Sequence, residues 1–496
     1  MTEGMRGRLA KGATWVAAAR VLINLTGFAS TIILARLLTP ADFGLVAIAS
    51  TVMIVIGSIT ELSLSQALVQ HRDPGDDHFH SAFTLNLLRS GLLGAIVAAL
   101  AVPIGMLYKD PRLIAIMLII AASTCISGLF SPRLVVFQRK LLFWQDFTMS
   151  VAQKLCGFVV SVVLAVVYRN YWALIGGLVA TQLSALVISY LLAPYRPRLM
   201  LAKTRELLSF SIWLSLGQAI NTLNWRADQL FIGYFLGAPA LGVYSVGDNL
   251  ASMPTREATT PLAQTLFPGF ARMIDEPDRL REAYQRAQAF LCAVALPVGF
   301  GFALLARPIV LVALGAKWLP AVLVIQLLAG IFAIQTLSSA LQPLAMAMGE
   351  TRDLFVRDVI NLAIRFPLIL VGLATGGLAG IVYARCVSGV LSTLINMAMA
   401  KRLLQLPLRE QLAANMRALI SVAVMAAVVH GADVAIADPA GRNMLALKLA
   451  LLSGIGAVAY GGCSYLLWTI GGRGQGPEEE VARMLHKFTA KLGWMH

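Results

Sequence analysis

The sequence predicts an all-α, polytopic membrane protein, and three observations carry that prediction. Of its 496 residues 58% are hydrophobic and only 13% are charged, about half the roughly 25% charge that a water-facing surface requires. The apolar residues gather in runs of the length that crosses a hydrocarbon core of about 30 Å as a helix, about twenty residues. Those runs, 113–122 for example, are continuous and not alternating, which argues against a transmembrane β-barrel.

Taken in order, short polar, Gly or Pro punctuation separates fourteen spans, near 14–38, 43–69, 81–107, 113–136, 143–168, 171–193, 208–236, 240–266, 284–306, 319–348, 354–373, 378–404, 412–436 and 443–470. The first run follows Arg6, Arg8 and Lys11 as a secretory signal would. It continues to Leu38 without a small-x-small cleavage site before a polar domain, so it reads as a retained helix. Lys and Arg favour one set of loops by better than three to one, which predicts that both termini are cytoplasmic. The formal net charge of +15 is then a topology signal, and no nucleic-acid partner is expected. The five cysteines all fall within apolar runs and read as small buried hydrophobes. Beyond Gly471, Val481, Leu485, Phe488 and Leu492 recur at helical spacing opposite Arg483, Lys487 and Lys491. This pattern is that of a basic amphipathic helix on the inner leaflet, with a partly ordered tail as the alternative.

An internal repeat organises the spans. Leu37-Leu38-Thr39-Pro40-Ala41-Asp42-Phe43-Gly44-Leu45 has a counterpart 198 residues later in Phe235-Leu236-Gly237-Ala238-Pro239-Ala240-Leu241-Gly242-Val243. The same offset lands spans three to six on spans nine to twelve. The expected organisation is an N-lobe over 1–200, a C-lobe over 201–405, an appended helix pair over 406–472 and a cytoplasmic tail over 473–496. Six spans per half give parallel repeats, the arrangement of carriers that rock two lobes about a central site.

Ionisable groups inside spans cost at least about 2.5–3.5 kcal/mol each at mid-bilayer and are candidates for function by default. Here they are Arg20, Glu61, Arg89, Lys154, Arg226, Asp228, Asp248, Arg256, Glu257, Arg365, Arg385 and Lys448, eight cations against four acids. Spans one, two, seven and eight hold seven of them. On span seven Gln218, Asn221, Trp225 and Asp228 share one helical face, with Arg226 off it. Span eight carries a stripe of Ser245, Asp248, Ser252 and Arg256, and span two one of Ser58, Glu61 and Ser65. Pro254 and Pro261 are expected to bend span eight and free backbone carbonyls for a cavity. Each group has a structural alternative. Arg20 and Lys154 lie near enough to a helix end to snorkel, and Glu61, Arg256 and Glu257 suit an ion pair at a gate. Arg89, Arg365 and Arg385 suit helix–helix contacts, and Lys448 reads as structural. Arg226 is the foremost substrate-binding candidate. An excess of arginine suits an anionic cargo, since the guanidinium fork matches phosphate oxygens, and the neighbouring Asn, Gln and Trp suit sugar hydroxyls and ring faces. His78 and His80 beside Asp76 and Asp77 read as a solvated loop and not as a metal site. There is no phosphate-binding Gly-rich loop, Walker lysine or catalytic triad spacing, so no cofactor is expected.

The stretch Ile33-Leu34-Ala35-Arg36-Leu37-Leu38-Thr39-Pro40-Ala41-Asp42-Phe43-Gly44-Leu45-Val46-Ala47 resembles the first-hairpin signature of the polysaccharide-exporting branch of the multidrug/oligosaccharidyl-lipid/polysaccharide (MOP) flippase superfamily. Leu64–Gln70, Gln138-Arg139-Lys140, Tyr244–Ala251, Leu266-Phe267-Pro268 and Lys317-Trp318-Leu319-Pro320 extend the match through about the first 350 residues. The chain is most similar to exporters of the colanic-acid and succinoglycan type. The resemblance implies two six-helix lobes and a lumen lined by the first and seventh spans. It implies transfer of an undecaprenyl-diphosphate-linked oligosaccharide repeat unit across the bacterial inner membrane, alongside a polymerase and chain-length or export components. It assigns no residue to the diphosphate.

Three function classes are in view. A lipid-linked oligosaccharide flippase working by alternating access fits the cationic excess, with Arg226, Asp228, Asp248, Asn221, Gln218, Arg20, Glu61, Arg256, Arg89 and Arg365 as its cavity candidates. A multidrug/cation antiporter of the same superfamily calls for an acid-dominated cavity. A membrane polysaccharide polymerase calls for a large extramembrane domain, and no loop here is long enough for one.

Overall fold

The computed structural model describes residues 2–61, 64, 68–69, 74–139, 143–204, 211–436, 441–471 and 478–479. Among these there is no strand. The helices are α1 (Thr2–Leu37), α2 (Pro40–Ile59), α3 (Asp76–Leu107), α4 (Arg112–Ser127), α5 (Val135–Arg139), α6 (Phe143–Tyr168), α7 (Trp172–Leu192), α8 (Ser211–Ala271), α9 (Pro277–Leu304), α10 (Ala306–Ala313), α11 (Ala321–Gln335), α12 (Leu341–Ala347), α13 (Thr351–Leu404), α14 (Leu408–Ala435) and α15 (Arg442–Ile470). Eleven helical stretches among the described residues are long and apolar enough to cross a membrane. Two of them, in α8 and α13, are pairs of helices merged across kinks, at Gly237 and at Gly376–Gly377. Counting each pair as two, and adding the shorter apolar α4, recovers the fourteen spans read from the sequence. The chain is thus an all-α, multi-pass membrane protein.

The chain folds into two compact units, Met1–Ser245 and Val246–His496. In the first unit, α6 and α7 cross through small residues. A Cβ on Gly157 would meet Thr181 Oγ1 at 1.9 Å, and one on Gly177 would meet Ser161 Oγ at 1.6 Å. Two small-xxx-small pairs therefore let the backbones approach, which is how helices associate where lipid removes the hydrophobic drive. In the second unit, Cys292, Leu296, Ala333 and Leu337 of the α9–α11 region pack on Ala418, Val422 and Met425 of α14 and Leu452 of α15. Tyr460 also donates to the Ala293 carbonyl at 2.8 Å. The appended helix pair is in this way joined to α9.

Several helix ends depart from the hydropathy reading. Hydropathy carries span two to 69, but α2 ends at Ile59. The Arg89 Nε donates to the Thr60 carbonyl at 2.7 Å and its Nη2 to the Gly57 carbonyl at 3.3 Å, satisfying the helix end. Span four stops at Ser127, and a separate 3₁₀ turn starts at Pro132. Span ten, expected unbroken over 319–348, is interrupted between α11 and α12. Gln288 of α9 explains the break: its buried amide donates to the Thr336 carbonyl and accepts from the Ala340 N–H at 3.2 Å. One side chain thus takes over backbone partners that an uninterrupted helix would supply. The expected amphipathic tail helix falls on 481–492, outside the described residues.

Candidate substrate-binding groups

The turn between α1 and α2 is built by Thr39 and Asp42. Thr39 N donates to Asp42 Oδ2 at 2.9 Å and Asp42 N donates to Thr39 Oγ1 at 3.4 Å, a reciprocal capping box with Pro40 in the first helical turn. Its repeat counterpart, inside α8, turns at Gly237, with φ 81° and ψ 174°, a conformation open to glycine alone. Both turns lie in the first unit, and they pack on each other reciprocally. A Cβ on Gly44 would come within 1.7 Å of the Ala238 carbonyl oxygen, and one on Gly242 within 1.8 Å of the Pro40 carbonyl oxygen. The 198-residue offset converts Gly44 into Gly242 and Pro40 into Ala238. The two contacts are therefore the same contact seen from each repeat, and the repeat is physical as well as textual.

Below this turn, α8 carries the foremost sequence candidates. Along the face predicted to be polar, Gln218 is exposed, Asn221 half-buried, Trp225 46% exposed and Asp228 wholly buried. Asp228 braces the hairpin across its kink: Tyr244 Oη donates to its Oδ2, and Gln229 N donates to its Oδ1 at 2.9 Å. Arg226 is half-buried, and its Nη1 donates to Gln229 Oε1 at 3.2 Å. The same oxygen accepts from Thr51 Oγ1 of α2 at 2.8 Å. Thr51 and Gln229 thus orient the arginine, which stays half-buried. Arg20 lies half-buried on α1, and Lys154 of α6 runs alongside Gly27 of the same helix as Arg20.

Arg89 caps α2, where its Nη2 also lies 3.7 Å from the exposed Glu61. In the second unit, Asp248 lies 3.6 Å from Arg385, whose side chain is almost wholly buried and stacks over Phe332 at 5.7 Å. Arg256 is exposed and pairs with its neighbour Glu257 at 3.2 Å. Arg365 is half-buried on α13. Span eight runs through Pro254 and Pro261 with Gly237 as the sole non-helical position of α8. Thr259 Oγ1 and Thr260 Oγ1 donate to the Thr255 and Arg256 carbonyls, so hydroxyls engage the backbone around the prolines. Lys448 donates to the Ile436 carbonyl at 2.8 Å and pairs with Asp433, closing the end of α14, a structural role. His78 and His80 stand in the first turns of α3 and not in a loop; His78 is buried, and His80 Nδ1 lies 2.6 Å from Tyr195 Oη. Outside the spans, hydrogen bonds from Arg112 hold the Asp110 carboxyl below its ordinary range.

Sequence reasoning missed Thr51, Gln229 and Tyr244. Gln229 and Tyr244 had a usable signal, since each flanks a residue already singled out. Thr51 had none, because a threonine on an apolar helix is unremarkable until its partner 178 residues away is known.

The many apolar helices among the described residues and the two reciprocally packed repeat turns define a polytopic membrane protein built on an internal repeat. A family model described as polysaccharide biosynthesis protein matches residues 33–323, more than half of the chain, which therefore belongs to that family. The chain is 27% identical to the succinoglycan biosynthesis transport protein ExoT of Rhizobium meliloti, covering 81% of this chain and 82% of that one. It is 23% identical to the lipopolysaccharide biosynthesis protein WzxC of Escherichia coli, over 79% and 80%. It is 21% identical to the teichuronic acid biosynthesis protein TuaB of Bacillus subtilis, over 91% and 94%. Among solved structures, the lipid II flippase MurJ in an inward closed conformation superposes with a TM-score of 0.73 at 15% identity, covering 91% of this chain and 98% of that one. An inward-facing multidrug resistance MATE transporter of the MOP superfamily gives 0.56 at 17% identity, over 77% and 95%. The chain shares its fold with these two transporters.

Proposed function

We propose that this chain turns an undecaprenyl-diphosphate-linked oligosaccharide from the cytoplasmic to the periplasmic leaflet of the bacterial inner membrane by alternating access. In this reading both termini are cytoplasmic, lobes 1–200 and 201–405 rock about the cargo, 406–472 is an appended pair, and a polymerase with chain-length or export components receives the product. The transport and flippase names of the similar proteins and the shared fold support the cargo class. The observation that carries it over a cation antiporter is the state of the four acids that the sequence reading places in spans. Glu61 faces Arg89, Asp228 takes a hydrogen bond from Tyr244, Asp248 faces Arg385 and Glu257 faces Arg256. All four have a charged or hydrogen-bonding partner within the protein, whereas half-buried Arg226 is held by a neutral amide, Gln229, and keeps its charge uncompensated by that contact. With the acids so engaged, Arg226 is the group that suits an anion, and a diphosphate accepts the bidentate hydrogen bonds an arginine offers.

Gln218, Asn221, Arg20, Arg226, Asp228, Asp248, Arg256, Glu61, Arg89 and Arg365 remain the candidate set. Arg226, with Arg20, is assigned to the diphosphate, Gln218 and Asn221 to the sugars, and the paired groups to holding the spans in place. Deleting the gene in its host is expected to leave lipid-linked repeat units with inward-facing glycans. Normal surface polysaccharide with no such backlog overturns the proposal. Arg226→Ala is expected to lower export about tenfold or more at equal membrane abundance, the loss of one charge-assisted hydrogen bond. Wild-type export at equal abundance removes Arg226 from the site.

A further inference from the structure

The second unit holds a cleft of about 410 Å³ near the junction of α9 with the appended pair. Its polar lining converges from three helices: Arg307 of α10, Gln326 of α11, and His430 with Asp433 of α14. The rest is apolar, including Phe300, Leu304 and Leu311, with Leu445 of α15. Gln326 and His430 belong to membrane-spanning helices. Polar groups at such positions call for water or a polar ligand.

The chemistry of the lining selects an anion. Lys448 Nζ lies 2.8 Å from Asp433 Oδ1, so the one carboxylate lining the cleft is already paired with a cation. With Arg307 added, cations exceed acids at this site. The guanidinium fork, the carboxamide N–H of Gln326 and an imidazole N–H all present donors, the complement of phosphate oxygens. The apolar half requires that the same ligand carry hydrocarbon. A volume of this size accommodates a compact headgroup and the first methylenes of its chains, not an entire lipid.

We infer that this cleft binds the headgroup of a phosphate-bearing membrane lipid, which ties the appended pair to the rest of the second unit. The ligand bridges Arg307 on α10 to His430 on α14, adding to the apolar contacts, the Tyr460–Ala293 hydrogen bond and the Arg281–Glu410 ion pair that already join the appended pair to α9. This binding is separate from the cargo reading and stands whether or not the chain exports a glycan.

The test reads binding through stability. The full-length protein, purified in detergent and delipidated, is unfolded thermally with phosphatidylglycerol, with diacylglycerol of the same chains, or with inorganic phosphate. Phosphatidylglycerol is expected to raise the Tm by about 4 °C or more, as a ligand well above its Kd does, and the other two to leave it near the lipid-free value. Arg307→Gln combined with His430→Gln reduces the rise to less than a third. Leu311→Trp, which fills the cleft without touching a charge, does the same, and serves if the first variant fails to fold. An equal rise with diacylglycerol or with phosphate alone overturns the proposal, as does an undiminished rise in a folded variant.

Discussion

At the first repeat turn the chain leaves α1 through Thr39, whose hydroxyl and backbone exchange hydrogen bonds with Asp42. At the second, 198 residues on, the position of Thr39 is held by Gly237 at φ 81° and that of Asp42 by Ala240. One turn is fixed by side-chain hydrogen bonds and the other by backbone freedom. What both keep is a glycine where the partner turn's carbonyl comes closest, at Gly44 and Gly242. The comparison shows which feature of the repeat is under the tighter physical constraint: close backbone approach admits one residue type, whereas reversing the chain has several solutions.

The largest expected effect comes from breaking that approach. In Gly44→Ala or Gly242→Ala the new Cβ lies under 2 Å from a backbone oxygen, so the turns must separate. Overpacking of this kind costs about 1–3 kcal/mol and sometimes more, read as a lowered Tm of the purified protein. Because the contact is reciprocal, the two single variants should lose similar stability. The double variant should lose clearly less than their sum, since turns already parted accept the second methyl. Additive losses would show two independent contacts in place of one shared contact.

How far the sequence reached follows from these same residues. Continuous apolar runs and the repeated nine-residue turn made the number of spans and the kinship of the two turns legible. Helix ends were not, because hydropathy reports solubility in lipid and not hydrogen bonding. Leu62, Leu64, Ala67, Leu68 and Val69 keep the stretch after Ile59 within the hydropathy span, yet Arg89 from another helix caps α2 there, and Gln288 interrupts span ten from outside it. In the candidate site, the ionisable groups were legible as costly residues, but their partners were not. Asp248 and Arg385 stand 137 positions apart, and nothing local marks them as a pair. Periodicity placed Asp228 on the polar face of span seven, and only the return of the chain at Gly237 brings Tyr244 to it.

The next effect tests the second turn alone. Gly237→Ala places a side chain on a backbone conformation reserved for glycine, at a cost of about 1–3 kcal/mol, while its nearest neighbour, Pro239 Cδ at 3.8 Å, leaves room for the methyl itself. The loss is therefore conformational, and substituting Pro239 by Ala to enlarge the space should not restore the Tm.

The smallest effect tests the first turn. Asp42→Ala removes the carboxylate that accepts from both Thr39 N and Thr39 Oγ1 and reproduces the Ala240 of the second repeat. Loss of one side of a capping box costs about 1 kcal/mol, a drop in Tm smaller than that of Gly237→Ala. The reverse transplant separates the two solutions more sharply. Installing the box in the second turn, with Gly237→Thr and Ala240→Asp, needs residue 237 to move from φ 81° to the −93° found at Thr39. Such a rotation would redirect the backbone that sets Ala238 against Gly44. The transplant should therefore destabilise more than Gly237→Ala does. A gain in Tm would show that the capping box suits either turn and that the glycine is a replaceable choice.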